Sequence, residues 1–202
     1  MSIESLRPLA NRVIDPLVAG AKRVGLTPNA VSVLALLVAG SAGASFYAAR
    51  EEPLLYLLGA ALVLLNGVLD VLDGSLAREL GTTSEAGDLL DHVIDRYADI
   101  ALIVGLAAGV EEYALGLAAV TGVLMTSYLG TQAQAVGLDR VYGGLLGRAI
   151  RLALTGFVAT IAAVLSATLL GLTVVGWLLV VFAVVGHLTA LQRFYYALGD
   201  LS

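Results

Sequence analysis

Apolar residues run almost unbroken through six stretches of this chain, roughly 28–49, 54–76, 87–109, 112–136, 149–170 and 173–195. A helix needs about 20 largely apolar residues to cross a bilayer, so the pattern predicts an all-α integral membrane bundle of six transmembrane helices. Polar or turn-forming positions mark the breaks: Pro28 before the first stretch, then residues 50–53, 80–87, Glu111 with Glu112, 137–147, and 170–173. None of these breaks is long enough to hold another domain, and residues 1–202 are expected to form a single membrane domain. Ahead of the first stretch, residues 3–19 alternate apolar and basic positions, the pattern of a juxtamembrane helix lying flat at the interface. The same region lacks the continuous apolar run of a signal peptide.

Composition sharpens this picture. Hydrophobic residues make up 59% of the 202 positions and charged ones only 13%, and the mean hydropathy is +0.92, far from the values of a soluble domain. There is no cysteine, which excludes disulfides, thiolate metal sites and a cysteine nucleophile. With six spans, every Lys and Arg except Arg50 falls on or near one face, and retention of positive charge inside predicts that both termini face the cytoplasm. No basic patch suits a nucleic acid. Many of the 23 glycines sit inside the spans, where small residues let helices approach closely, predicting a tight bundle and a homodimer.

The acidic residues change the reading from a membrane bundle to an enzyme. Much of the net charge of −5 comes from four aspartates at the ends of two apolar stretches. Asp70 and Asp73 share a face near the end of the second span, and Asp91 and Asp95 share a face near the start of the third. The turn between the spans brings both pairs to similar depth, and four carboxylates crowded in an apolar surrounding call for one or two divalent cations. Oxygen ligands without His or Cys select Mg²⁺ or Mn²⁺. Gly74 and Gly87 permit close backbone approach, Arg78 provides a fork for phosphate oxygens, and Thr82, Thr83 and Ser84 offer hydroxyls at the helix entrance. Together they suit a nucleoside or prenyl diphosphate.

Asp70, Asp73, Gly74, Ala77, Arg78, Gly87, Asp91 and Asp95 reproduce the pattern D-x2-D-G-x2-A-R-x8-G-x3-D-x3-D without a departure. In this the chain resembles the CDP-alcohol phosphotransferases, and residues 27–32 resemble the entrance to that family's first span. The resemblance implies transfer of a phospholipid moiety from a CDP-activated lipid, CDP-diacylglycerol or CDP-archaeol, to a polar alcohol with release of CMP. It implies two Mg²⁺ or Mn²⁺ ions on Asp70, Asp73, Asp91 and Asp95, with Asp95 also the general base. The donor contacts it implies are Gly74, Ala77, Arg78, Ser84 and Gly87, with Asn29 and Ser32 assisting. It further implies a dimer with the site open to the cytoplasm.

The acceptor is marked less strongly. Arg148 and Arg151 sit at i, i+3 at the mouth of the fifth span, with no acid close by in sequence, and two such forks favour a phosphorylated acceptor. Family members that take a phosphorylated inositol carry a similar R-x-x-R pair, although residues 131–135 here lack the basic residue those enzymes often have. Arg193 and Arg140 add positive charge on the same face. Other readings are an unphosphorylated acceptor such as serine, an aspartate-rich membrane prenyltransferase suggested by Asn66 ahead of Asp70 and Asp73, and an ion carrier. Asp88 and Asp99 read as supporting or water-facing carboxylates, His92 as packing, and His187 as a satisfied buried polar group.

Overall fold

The computed structural model describes residues 7–138 and 146–201 and is all helical within them. Seven helices follow one another: α1 Arg7–Arg23, α2 Pro28–Ala48, α3 Leu55–Leu80, α4 Glu85–Gly109, α5 Tyr113–Ala135, α6 Arg148–Ala162 and α7 Val174–Asp200. Four of them, α2, α3, α5 and α7, are long and apolar enough to cross a membrane. α4 carries the acidic residues that set it apart, and α6 is short.

Local chemistry sets the helix ends. Thr27 caps α2 by accepting a bond from the Ala30 amide at 3.2 Å, with Pro28 in the first turn, where a missing N–H costs nothing. Gly81, at φ 64, closes α3 in the left-handed conformation that glycine adopts most readily. Ser84 then caps α4, so only residues 81–84 separate α3 from α4.

α2 lies against both α3 and α4, α5 against α7, and α6 against α3. Phe46, Val63, Leu106, Val123, Leu179 and Phe182 are fully buried between them. The α2–α4 crossing is backbone on backbone. A Cβ on Gly43 would strike the carbonyl of Ala101, one on Gly105 would strike the backbone of Gly43, and one on Gly109 would strike the carbonyl of Phe46. A second glycine pair, Gly122 and Gly186, joins α5 to α7, and the Thr126 hydroxyl donates to the Gly186 carbonyl there at 2.7 Å.

Two sequence expectations need adjustment. The fifth apolar stretch was expected to stay helical to residue 170, but α6 stops at Ala162. Residues 165–168 are already non-helical, and the segment closes in a turn at Leu170 and Gly171, both with positive φ, with Leu169 paired to Leu172 across it. The N-terminal helix runs past residue 19 of its expected range to Arg23; residues 3–6 of that range lie outside the described residues, as does Arg140. Val18 and Ala21 of α1 pack beneath Leu69, Leu72 and Leu76 of α3, and Lys22 pairs with Glu79 at 2.9 Å.

Candidate active site

Three of the four aspartates converge. Asp70 from α3 and Asp91 and Asp95 from α4 each bring a carboxylate oxygen within 4.8 Å of the others. Their donors are all oxygen, and their like charges at this spacing repel unless a cation lies among them, so the cluster fits a hard divalent ion such as Mg²⁺ or Mn²⁺. Asp73, one turn after Asp70, is only 6% exposed and is held from the other side: its Oδ2 accepts a 2.6 Å hydrogen bond from the Ser32 hydroxyl of α2.

Arginines from two further places close on the cluster. Arg148, the first residue of α6, lays Nη1 against Oδ1 of both Asp70 and Asp95. Arg151, one turn later, is buried; its Nη2 meets Asp99 Oδ2 at 2.5 Å and its Nη1 donates to the Leu146 carbonyl at 2.8 Å. Arg96 of α4 lies 3.5 Å from Asp95 and 3.9 Å from Asp99. From Asp70 and Arg148 an apolar groove of about 730 Å³ runs between α3 and α6, past Leu64, Val68, Leu152, Gly156 and Phe157.

The sequence pattern of CDP-alcohol phosphatidyltransferases matches residues 25–188, which include every one of these groups. The chain belongs to the CDP-alcohol phosphatidyltransferase family. This CDP-alcohol phosphatidyltransferase is 31% identical over 199 residues to the archaetidylinositol phosphate synthase of Methanothermobacter thermautotrophicus, covering 96% of this chain and 93% of that protein. Its fold matches the phosphatidylinositol phosphate synthase of Mycobacterium tuberculosis with CDP-DAG bound at a TM-score of 0.77 and 27% identity, over 92% of this chain and 94% of the other. The same mycobacterial enzyme in complex with manganese and citrate matches at a TM-score of 0.76 and 27% identity, over 90% and 87% of the two chains. As a family member the protein is a metal-dependent transferase of phospholipid biosynthesis, moving a phospholipid moiety from a CDP-linked lipid to an alcohol. The prenyltransferase and ion-carrier readings are set aside.

The remaining residues singled out in this CDP-alcohol phosphatidyltransferase lie in different settings. Arg78 is exposed near the end of α3 and donates to the Ser75 hydroxyl at 3.1 Å; a Cβ on Gly74 would sit in ordinary contact with its Nη1 at 3.5 Å. Ala77 is half-buried beside it. Ser84 accepts from the Gly87 amide at 3.1 Å, so these two residues form the α4 cap, and a Cβ on Gly87 would press on the Ser84 hydroxyl at 3.3 Å. Asn29 is exposed in the first turn of α2. Arg193 of α7 donates to the Thr126 carbonyl at 2.6 Å and so reaches toward α5.

Two placements differ from the sequence reading, those of Arg151 and His187. Asp99 takes the supporting alternative rather than the water-facing one; it is 4% exposed and bound to Arg151. Arg151 therefore has an acid neighbour in space where none stands near it in sequence. His187 is exposed rather than buried, 3.4 Å from the Thr121 hydroxyl. Asp88 is exposed as one reading allowed, and its carbonyl lies 2.7 Å from His92 Nδ1. Arg96 was not singled out at all, because a single arginine in an acidic helix has no spacing signature; only its placement between two carboxylates marks it.

Proposed function

We propose that this enzyme joins the lipid of a CDP-linked donor to a phosphorylated inositol. The observation that carries this reading is the position of Arg148: a guanidinium from the start of α6 lies directly at the aspartate cluster, where it suits the phosphate of an incoming acceptor through a two-pronged contact. The relatives whose names are inositol phosphate synthases support the same acceptor.

In this reading Asp70, Asp73, Asp91 and Asp95 hold two divalent ions, which when bound neutralise the diphosphate and the departing CMP. Arg78 and the backbone at Gly74, Ala77 and Gly87 receive the donor's diphosphate, with Ser84, Asn29 and Ser32 shaping that end of the site. The 730 Å³ groove between α3 and α6 takes a donor hydrocarbon chain, since its walls are apolar except at the Asp70 and Arg148 end. Asp95 removes the proton from the acceptor hydroxyl as that oxygen attacks the β-phosphorus; the bond to the CMP oxygen breaks, and Arg78 stabilises the charge that leaves. Arg148 orients the acceptor, and Arg151 and Arg193 add positive potential around it. The chain works as one domain, residues 1–202, with six spans, α1 at the interface, and termini and site facing the cytoplasm, as a homodimer.

The test is turnover by the purified protein with Mg²⁺, CDP-diacylglycerol or CDP-archaeol, and a panel of inositol phosphate, glycerol phosphate, inositol and serine, followed by CMP release. Inositol phosphate should give the highest kcat/KM. Arg148→Ala should lower it at least about tenfold through the acceptor, the worth of a charged hydrogen bond. Serine or unphosphorylated inositol as the best acceptor would sink the proposal.

A further inference from the structure

No Cα of α6 comes within 8 Å of a Cα of α4, so the two helices that face each other across the site do not pack directly. Long side chains span the gap instead, as two rungs. In the upper rung Arg148 meets Asp95 of α4, and Asp70 of α3 as well. In the lower rung Arg151 meets Asp99. The spacing matches on both sides, with the arginines three residues apart on α6 and the aspartates four apart on α4, so each pair of residues is stacked on one helix face.

The rungs differ in kind. Arg148 and Asp95 belong to the reacting centre, but Asp99 is outside the aspartate cluster and both it and Arg151 are 4% exposed. At that depth neither charge tolerates separation from the other, because an uncompensated buried charge is far costlier than a broken surface pair. Two of the three Arg151 nitrogens are engaged, Nη2 by Asp99 and Nη1 by the Leu146 carbonyl just ahead of α6, which fixes the plane of the guanidinium and the rotation of the helix start. Arg148 is one turn away on that same start. Its aim at the aspartates therefore depends on where the lower rung holds α6.

We infer that Asp99 is a positioning residue for acceptor binding: by anchoring Arg151 it sets the approach of Arg148 to the site. This rests on the reading above that Arg148 holds the acceptor. Asp99 touches no reacting atom, and the donor side lies on α2, α3 and the first turn of α4, about three helical turns along α4 from Asp99.

The test compares Asp99→Asn, Asp99→Glu and Arg151→Lys in the full chain, purified with lipid, reading both substrates' KM values, kcat and Tm. Asp99→Asn should raise the acceptor KM at least about tenfold while the CDP-lipid KM stays within about twofold, and Asp99→Glu, which keeps the charge, should recover part of the loss. Arg151→Lys, which keeps the ion pair but loses the fork, should raise the acceptor KM by a smaller factor; it carries the test if Asp99→Asn does not fold. An unchanged acceptor KM in the variants that fold overturns the inference. So does a parallel loss of both substrates' binding and of Tm without rescue by Asp99→Glu, which is the result of a merely structural pair. The KM shift is read on whichever acceptor the wild type turns over best, so a preference for unphosphorylated inositol refutes the phosphate reading and leaves this result separately legible.

Discussion

Ser32 offers the sharpest perturbation of the aspartate site, because it acts on one carboxylate through one bond. Its hydroxyl donates to Asp73 at 2.6 Å, the length of a charge-assisted O–H···O⁻ contact, and Asp73 is too buried for water to replace it freely. Such a bond contributes about 1.5–3 kcal/mol, and each ~1.4 kcal/mol is a factor of ten. With the metal-holding role proposed for Asp73, Ser32→Ala should therefore weaken Mn²⁺ binding by about ten- to a hundredfold, the range found when the partner of a metal-binding side chain is removed. Titration calorimetry of Mn²⁺ into the purified protein reads this directly. CMP release against Mn²⁺ concentration should show the same displacement, with turnover recovering as the metal saturates. The effect should vanish when Ser32→Ala is made on top of Asp73→Asn, since the bond is then already altered; this double-mutant cycle separates the contact from general damage to α2. Wild-type Mn²⁺ affinity in Ser32→Ala, or an equal loss in the Asp73→Asn background, would refute the reasoning.

Three further outcomes are expected. Asp95→Asn should lose about 10²–10⁴-fold in turnover while CDP-lipid binding persists in a direct binding assay; loss of donor binding equal to that of Asp70→Asn would make Asp95 chiefly a metal ligand. Gly105→Ala drives a methyl into the Gly43 backbone, which has no side chain to move aside, and should cost about 1–3 kcal/mol as overpacking, seen as a lower Tm in detergent; an unchanged Tm would mean that α2 and α4 are not in backbone contact. Ala153→Trp fills the groove between α3 and α6 and should raise the CDP-lipid KM severalfold with the acceptor KM unchanged, whereas unaltered donor kinetics would remove the groove from the lipid path.

The helices and the aspartate pairs were legible in the sequence because their signals are local. Asp70 and Asp73, and Asp91 and Asp95, lie at helical spacings on either side of one short turn, so helix geometry puts each pair on one face; that Asp70 meets Asp91 and Asp95 while Asp73 turns to Ser32 follows from how α3 and α4 pack on α2. The pairing of Asp99 with Arg151 is not local either. The two lie 52 residues apart, and nothing in either helix states which turn of α6 will face which turn of α4. The same holds for Ser32 and Asp73, 41 residues apart; resemblance pointed to Ser32, but only the fold shows that its hydroxyl meets an aspartate. The end of α6 was hidden for the opposite reason. Residues 163–172 keep much of the apolar character of a span although the helix has ended at Ala162 and the backbone goes on to a turn at Leu170 and Gly171, and hydropathy does not report backbone conformation.

The early end of α6 has a consequence for the surrounding lipid. Its 15 residues make about 22 Å of helix at ~1.5 Å per residue, against a hydrocarbon layer of about 30 Å. In the six-span arrangement proposed above, the turn after Ala162 lies at the far end of that deficit, with the Trp177 indole bonded to the Leu169 carbonyl as an interfacial ring would be. Bilayers meet a short span by thinning around it. The thinning would fall along the flank of the bundle where the α3–α6 groove opens, so a lipid chain would enter from membrane already compressed, and turnover should respond to acyl length in the host bilayer as well as in the donor.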